Sequence, residues 1–255
     1  MGKLLALQDR ILMGLAFMGD VLEEIRDVGG LVSYSYKLAY GWVPPRFEKH
    51  HFYQAVKRML RTGTIERIYK NRRPYLRVTS QGIKKIVRDF PLFEIAKRKW
   101  DGKWTVIIFD IKESERWIRD AFREQLLSLG CGKLQRSVYI TPHDITQELR
   151  EMIALQGLIG MVRVFRAPLL FEENPKHLAN RVWKLDKINA RYQKMLDEWE
   201  EAKRKKLKRT KKERLVRELK AFYFDILVTD PILPKELLPE DWAGEKAHDF
   251  IRSLN

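Results

Sequence analysis

Apolar residues at 4, 5, 7, 11, 12, 15, 16, 18, 21, 22 and 25 follow a helical period, which predicts a helix over Leu4 to Arg26 that Gly29-Gly30 ends. Tyr34 to Tyr40 reads as a short second helix. The turn Gly41-Trp-Val-Pro-Pro45 then sets the entry to a third, Arg46 to Arg61, whose apolar positions 52, 55, 56, 59 and 60 share one face. Gly63 is the expected stop. Thr64 to Tyr69 alternates as a strand, Asn71 to Pro74 turns, and Tyr75 to Thr79 alternates back. Ser80 is the expected cap of a helix over Gln81 to Asp89. Three helices followed by a hairpin is the order of a winged helix-turn-helix, here placed in residues 1–92.

Beyond the turn at Trp100 to Trp104, the near-continuous apolar run Thr105 to Asp110 predicts a buried strand. An amphipathic helix over Glu113 to Leu129 is closed by Gly130 and Gly132. A strand region at Gln135 to Thr141, a helix at Asp144 to Leu155 and a strand at Met161 to Ala167 follow, with room for a fourth strand near Cys131 to Leu134. That succession predicts a ferredoxin-like, split β-α-β domain in 100–172. The remainder, 173–255, reads as a helical C-terminal region. Lys176 to Glu200 has helix-forming composition, 201–220 is a basic run, and a Pro-punctuated tail from Asp230 to Pro239 precedes a short final helix. The expected fold class is α+β.

Charge narrows the partner. The chain holds 50 Lys+Arg against 34 Asp+Glu, a net +16. The excess is localised: residues 1–99 hold 20 basic and 9 acidic side chains, and residues 201–220 hold 11 and 3. Cations gathered into such blocks suit a polyanion, because each one set against a phosphate releases a condensed counterion. Double-stranded DNA is the expected partner, although solubility charge would give the same totals. The longest stretch without a charge, Met152 to Val162, is eleven residues; a spanning helix needs about 18 or more. No membrane partner is expected. The first apolar run is broken by Asp9 and Arg10, unlike a secretory signal, and the single Cys131 has no disulfide partner. A cytoplasmic setting follows from these readings.

At 100° per residue, the helix over Arg46 to Arg61 buries Phe52, Val56 and Met59 and presents His50, Gln54, Lys57 and Arg61 opposite, with Tyr53 and Arg58 at the edges. In a recognition helix the N-terminal part meets base edges, so His50, Tyr53 and Gln54 are the candidate readers and Lys57, Arg58 and Arg61 the candidate phosphate contacts. Lys70, Arg72 and Arg73 at the hairpin tip would reach an adjacent groove or backbone. An ordinary solvated helix face carries similar residues. His50-His51 lacks spaced partners for zinc, and no glycine pattern for a nucleotide phosphate occurs. Cys131, between two glycines, reads as a buried thiol, and the aromatic cluster around Trp199 and Tyr223 as core or dimer contact.

Three blocks, WDGKWTVIIFDIKE (100–113), LGCGKLQRSVYITP (129–142) and DPILPKELLPEDWAGEKA (230–247), resemble the PaaX family of bacterial transcriptional repressors and occur in that family's order. The resemblance implies a winged helix, a central ferredoxin-like domain and a helical C-terminal region, operator binding as a homodimer, and release by a small effector of acyl-coenzyme A type. The central block also looks like the small CRISPR-associated endonuclease of the spacer-acquisition machinery, and Asp110 falls where that enzyme keeps a metal-binding aspartate. A strand-end carboxylate can hold Mg²⁺, and a two-fold dimer could bring two together. It can equally cap the next helix or pair with Arg116 or Arg136. Catalysis therefore has one candidate residue, Asp110, and no cofactor is required. The alternative reading is a metal-dependent nuclease, or a CRISPR adaptation subunit, targeted by a winged helix. Lys112, where the repressors often have Pro, and the basic run are departures from the pattern.

Overall fold

The computed structural model describes residues 7–18, 21–22, 49–70, 72–89, 91–169, 174–205 and 208–254. They fall into two compact units, each discontinuous in sequence. A central unit takes Asp89–Asp186 and Pro231–Glu240, and a terminal unit takes Leu4–Arg88, Lys187–Asp230 and Asp241–Asn255.

In the terminal unit, α1 (Leu7–Met18) buries Ile11, Leu12 and Leu15, as its apolar period requires, and Met13 beside that face. The helix expected through residue 26 ends at Met18, and Val21–Leu22 forms β1 instead. Gly19-Asp20 is a poor helix-forming pair, and Val21 and Leu22 suit a strand that satisfies the open edge of a hairpin. The helix and turn expected over 34–45 lie outside the described residues. α2 (Lys49–Arg61) leads into β2 (Ile65–Lys70) and β3 (Arg73–Val78), an antiparallel pair in which Lys70 faces Arg73. β1 adds to β3, Val21 opposite Leu76, to give the order β1-β3-β2. α3 (Ser80–Asp89) follows, tied to α1 by Lys85 Nζ on Asp9 at 2.7 Å.

The central unit opens with α4 (Leu92–Ile95) and β4 (Lys103–Phe109). A 3₁₀ turn (Glu113–Glu115) enters α5 (Arg116–Ser128), then come β5 (Gly132–Gln135), β6 (Val138–Thr141), α6 (Thr146–Leu155), β7 (Val162–Pro168) and α7 (Pro175–Trp183). The sheet order is β5-β6-β4-β7 with every pair antiparallel, the split β-α-β arrangement. Ile107, Phe109 and Tyr139 pack with Phe122 and Leu126 of α5 and Leu149 of α6 in one core. Phe109 and Phe122 meet edge to face at 5.3 Å. β4 is not buried on both sides as its apolar run suggests: Ile108 is 39% exposed. α5 and α6 cover one face of this antiparallel sheet, leaving part of the other open.

Two glycines are needed where they stand. Gly130, at φ +76°, ends α5: its N–H and that of Cys131 return to the carbonyls of Leu127 and Leu126, the paired bonds of a left-handed helix cap. At Gly132 a Cβ would lie 2.1 Å from Val182 Cγ1 of α7, so only glycine lets that helix sit on β5. Beside it Trp183 stacks on Trp104 at 6.2 Å.

The single helix expected over 176–200 is broken at Lys184, φ +57°, into α7 and α8 (Leu185–Arg204). α9 (Arg209–Leu227) and α10 (Gly244–Ser253) complete the terminal unit. Between them the Pro-rich stretch returns to the central unit. Buried His143 donates from Nε2 to the carbonyl of Ile232 at 3.2 Å, and the 3₁₀ turn Lys235–Leu237 packs on α7.

Burial holds the His143 imidazole neutral and pushes its pKa down from 6.5 to about 4. Across that window the unfolded chain takes up a proton that the folded chain refuses, so stability falls as pH is lowered from 6.5, by at most about 1.4 kcal/mol per pH unit. Urea midpoints measured near pH 7 and near pH 5 should show this loss. His143→Gln keeps a donor for Ile232 without the titration and should flatten it.

Candidate nucleic-acid interface

Ala55, Val56 and Met59 are buried on α2, which packs against α1 and β2. The opposite side is therefore fixed outward. Tyr53, Gln54, Lys57, Arg58 and Arg61 are all exposed, within an arc of about 140° at 100° per residue. No acidic residue occurs in α2, so nothing on the helix neutralises that face from within. His50 sits at the head of the same arc by register. The side chains of His50, Lys70 and Arg73, and the expected burial of Phe52, lie outside those described.

The hairpin is locked to the end of α2 by a small polar junction. Gly63 closes the helix at φ +68°, and Thr64 Oγ1 donates to the Met59 carbonyl at 3.2 Å. Thr79 Oγ1 donates to the Gly63 carbonyl at 2.6 Å and accepts the Gly82 N–H at 3.1 Å. Thr79, not Ser80, thus caps α3; its hydroxyl also ties the end of the hairpin to the end of α2. A Cβ at Gly82 would lie 2.1 Å from the Thr64 carbonyl oxygen, so α3 approaches this junction as closely as glycine permits. At the far end Arg72 holds φ +63° and is exposed. Tyr69, one residue inside the tip, is 70% exposed. Sequence pattern alone does not mark it, or exposed Arg67 and Arg77, because a strand aromatic normally signals packing.

Asp110 stands apart. Its backbone N–H donates to the Met161 carbonyl at 2.9 Å, and its residue is exposed. Among the described residues no ion pair joins it to either expected arginine, and Arg116 faces Asp120 at 3.6 Å. Lys112, not Asp110, precedes the 3₁₀ turn, so no cap forms there. Glu113 lies in that turn and takes Arg119 at 2.5 Å, which holds its carboxyl below the usual range. Among the described residues no three His, Cys, Asp or Glu side chains gather as a metal would need. One exposed carboxylate is a poor fit to a resident cation.

Cys131 is a buried free thiol, pushed up in pKa by burial. In the aromatic cluster, Tyr192 meets Tyr223 at 6.2 Å and Trp242 at 5.7 Å, and Trp199 meets Phe250 at 5.2 Å, which makes it core. The central unit also holds a pocket of about 150 Å³ lined by Trp100, Asp101, His143, Asp144 and Arg166 among others. Its two arginines are engaged: Arg166 Nη2 reaches both Asp101 oxygens at 2.7 Å, and Arg98 donates to Glu148 at 2.8 Å.

Residues 97–179 match the family described as the PaaX protein central Cas2-like domain, and residues 183–255 match the PaaX-like protein C-terminal domain. Over 212 residues the chain is 25% identical to the transcriptional repressor PaaX of Escherichia coli (strain K12), covering 78% of this chain and 66% of the repressor. The match thus spans just under two thirds of that protein's length. The uncharacterized protein Rv0674 from Mycobacterium tuberculosis has a similar fold, with a TM-score of 0.53 at 21% identity over 91% of this chain and 96% of that one. No described helix is long and apolar enough to cross a membrane.

Thr79→Val removes the two bonds of the Thr79 hydroxyl while keeping the side-chain shape. It should cost about 1–2 kcal/mol. Urea unfolding of the variant beside the parent reads this directly, and an unchanged midpoint would mean that the junction holds nothing.

Proposed function

Because the chain belongs to the PaaX family, we propose that it is a transcriptional repressor that reads double-stranded DNA, binds as a homodimer and is released by a small effector. The observation that carries the reading is the acid-free outward arc of α2 tied through Thr79 to a basic hairpin. A rigid helix with a fixed outward face can enter a major groove while an attached hairpin reaches the neighbouring backbone. In this reading residues 1–92 are a winged helix, 100–172 a ferredoxin-like scaffold and 173–255 the helical region. Gln54, with His50 and Tyr53, meets base edges. Lys57, Arg58 and Arg61 on α2, and Lys70, Arg72 and Arg73 on the hairpin, meet phosphates. Exposed Tyr69 joins the hairpin's contacts.

A dimer imposes its two-fold axis on the operator, so the site would be an inverted repeat. The acyl-coenzyme A-type effector is carried over from the family resemblance, and the cytoplasmic setting from the sequence readings above. No step runs through Asp110: among the described residues no cluster of His, Cys, Asp or Glu gathers round it to hold a metal for phosphodiester hydrolysis.

Selection of duplexes from a random library by the full chain tests this. An inverted repeat should be enriched, and the recovered DNA should be intact after incubation with Mg²⁺. Gln54→Ala should relax one or two positions per half-site, by about 1–3 kcal/mol each, while Arg72→Ala weakens selected and scrambled duplexes alike. No enrichment, with equal affinity for random DNA, would contradict sequence reading; cleavage would favour a nuclease.

A further inference from the structure

The basic run of 201–220 has no role in the reading above, yet 11 of its 20 residues are Lys or Arg and 3 are acidic. The structure divides it between the end of α8 and the first half of α9. These helices run antiparallel: Trp199 meets Lys212, Tyr192 meets Tyr223, and Arg191 meets Asp225. The two basic ends are therefore held together. Trp199, 8% exposed, fixes them, with Lys203 Nζ of α8 at 5.8 Å from its ring and Lys212 Nζ of α9 at 5.5 Å.

Only part of this charge is answered. Lys203 pairs with Glu200, Lys205 with Glu201 and Arg214 with Glu218. Arg204, Lys208, Lys211 and Lys212 are exposed and form no ion pair among the described residues. The first turn of α9 holds no acid, so three of these cations sit at the positive end of the helix dipole as well as beside each other. Such an arrangement opposes itself in the free chain and is relieved by an anion that meets several cations at once.

We propose that the joined ends of α8 and α9 are a second DNA-binding surface, which grips duplex phosphates flanking the site read by α2. Arg204, Lys208 and Lys211 meet those phosphates. In this proposal the surface holds the backbone and does not specify sequence, because its exposed side chains are chiefly Lys and Arg matched to phosphate oxygens. A membrane is the poorer occupant, because the aromatic at the patch is buried and cannot insert. The proposal rests on the DNA-binding reading of the chain.

The test compares the full chain with Arg204→Gln/Lys208→Gln/Lys211→Gln. Binding is measured by fluorescence anisotropy across a salt series, on the selected duplex alone and on the same duplex with about ten added base pairs on each side. The parent should bind the longer duplex tightly, at least about tenfold better. The variant should lose that advantage, and its log K against log salt slope should fall by about 0.9 for each phosphate no longer neutralised. Its preference for the selected over a scrambled site should persist. These side chains are exposed, so the helical signal by circular dichroism should be unchanged, and Lys211→Glu alone should shift binding in the same direction. An unchanged slope and flank advantage, with the parent still binding DNA, would overturn this surface and spare the function. Failure of the parent to bind any duplex would overturn both. Anionic vesicles that displace flanked duplex at equal charge would reassign the patch and overturn the proposal.

Discussion

Burial of Val56 and Met59 decides which side of α2 faces outward, and the proposed chemistry of the chain depends on that orientation. A helix free to roll would spread its cations over many orientations. With its apolar side seated on α1 and β2, Gln54, Lys57 and Arg61 stay on one outward arc. The Thr79 hydroxyl then extends the constraint to the hairpin, because one side chain bonds the helix end and caps α3. Orientation and register come from apolar burial and a few hydrogen bonds, which leaves Lys57, Arg58 and Arg61 exposed.

Local patterns made much of this legible. Period-2 alternation on either side of Asn71 to Pro74 marked the hairpin, and Gly63 and Gly130 marked helix ends that the structure closes with left-handed glycines. The strand and helix order of the central unit followed from alternating periods. What failed depended on partners distant in sequence. Val21-Leu22 fits a helix or a strand by pattern, and only the open edge of β3 decides for a strand. The break at Lys184 has no Gly or Pro to announce it. The return of Ile232 to His143 joins residues 89 apart, and no window of sequence reveals such a pairing.

The candidate sites divide in the same way. Exposure of the α2 arc was readable because helical geometry fixes it from neighbours three and four residues away. Tyr69 was not, because a strand aromatic is assigned to the core until the hairpin is seen to project. That Asp110 forms no ion pair with Arg116 was also hidden, since Arg116 turns to Asp120 one helical turn along its own helix. For the basic run, composition gave the charge, whereas the meeting of its two halves over Trp199 needed the fold.

The central claim is that DNA meets the outward arc of α2 and the hairpin joined to it. Hydrogen exchange of the full chain, with and without the selected duplex, tests this most directly. The account predicts slowed exchange across residues 53–61 and 69–73, with α5 and α6 of the central unit unchanged. Protection confined to the central unit, with α2 and the hairpin exchanging as in the free chain, would contradict it.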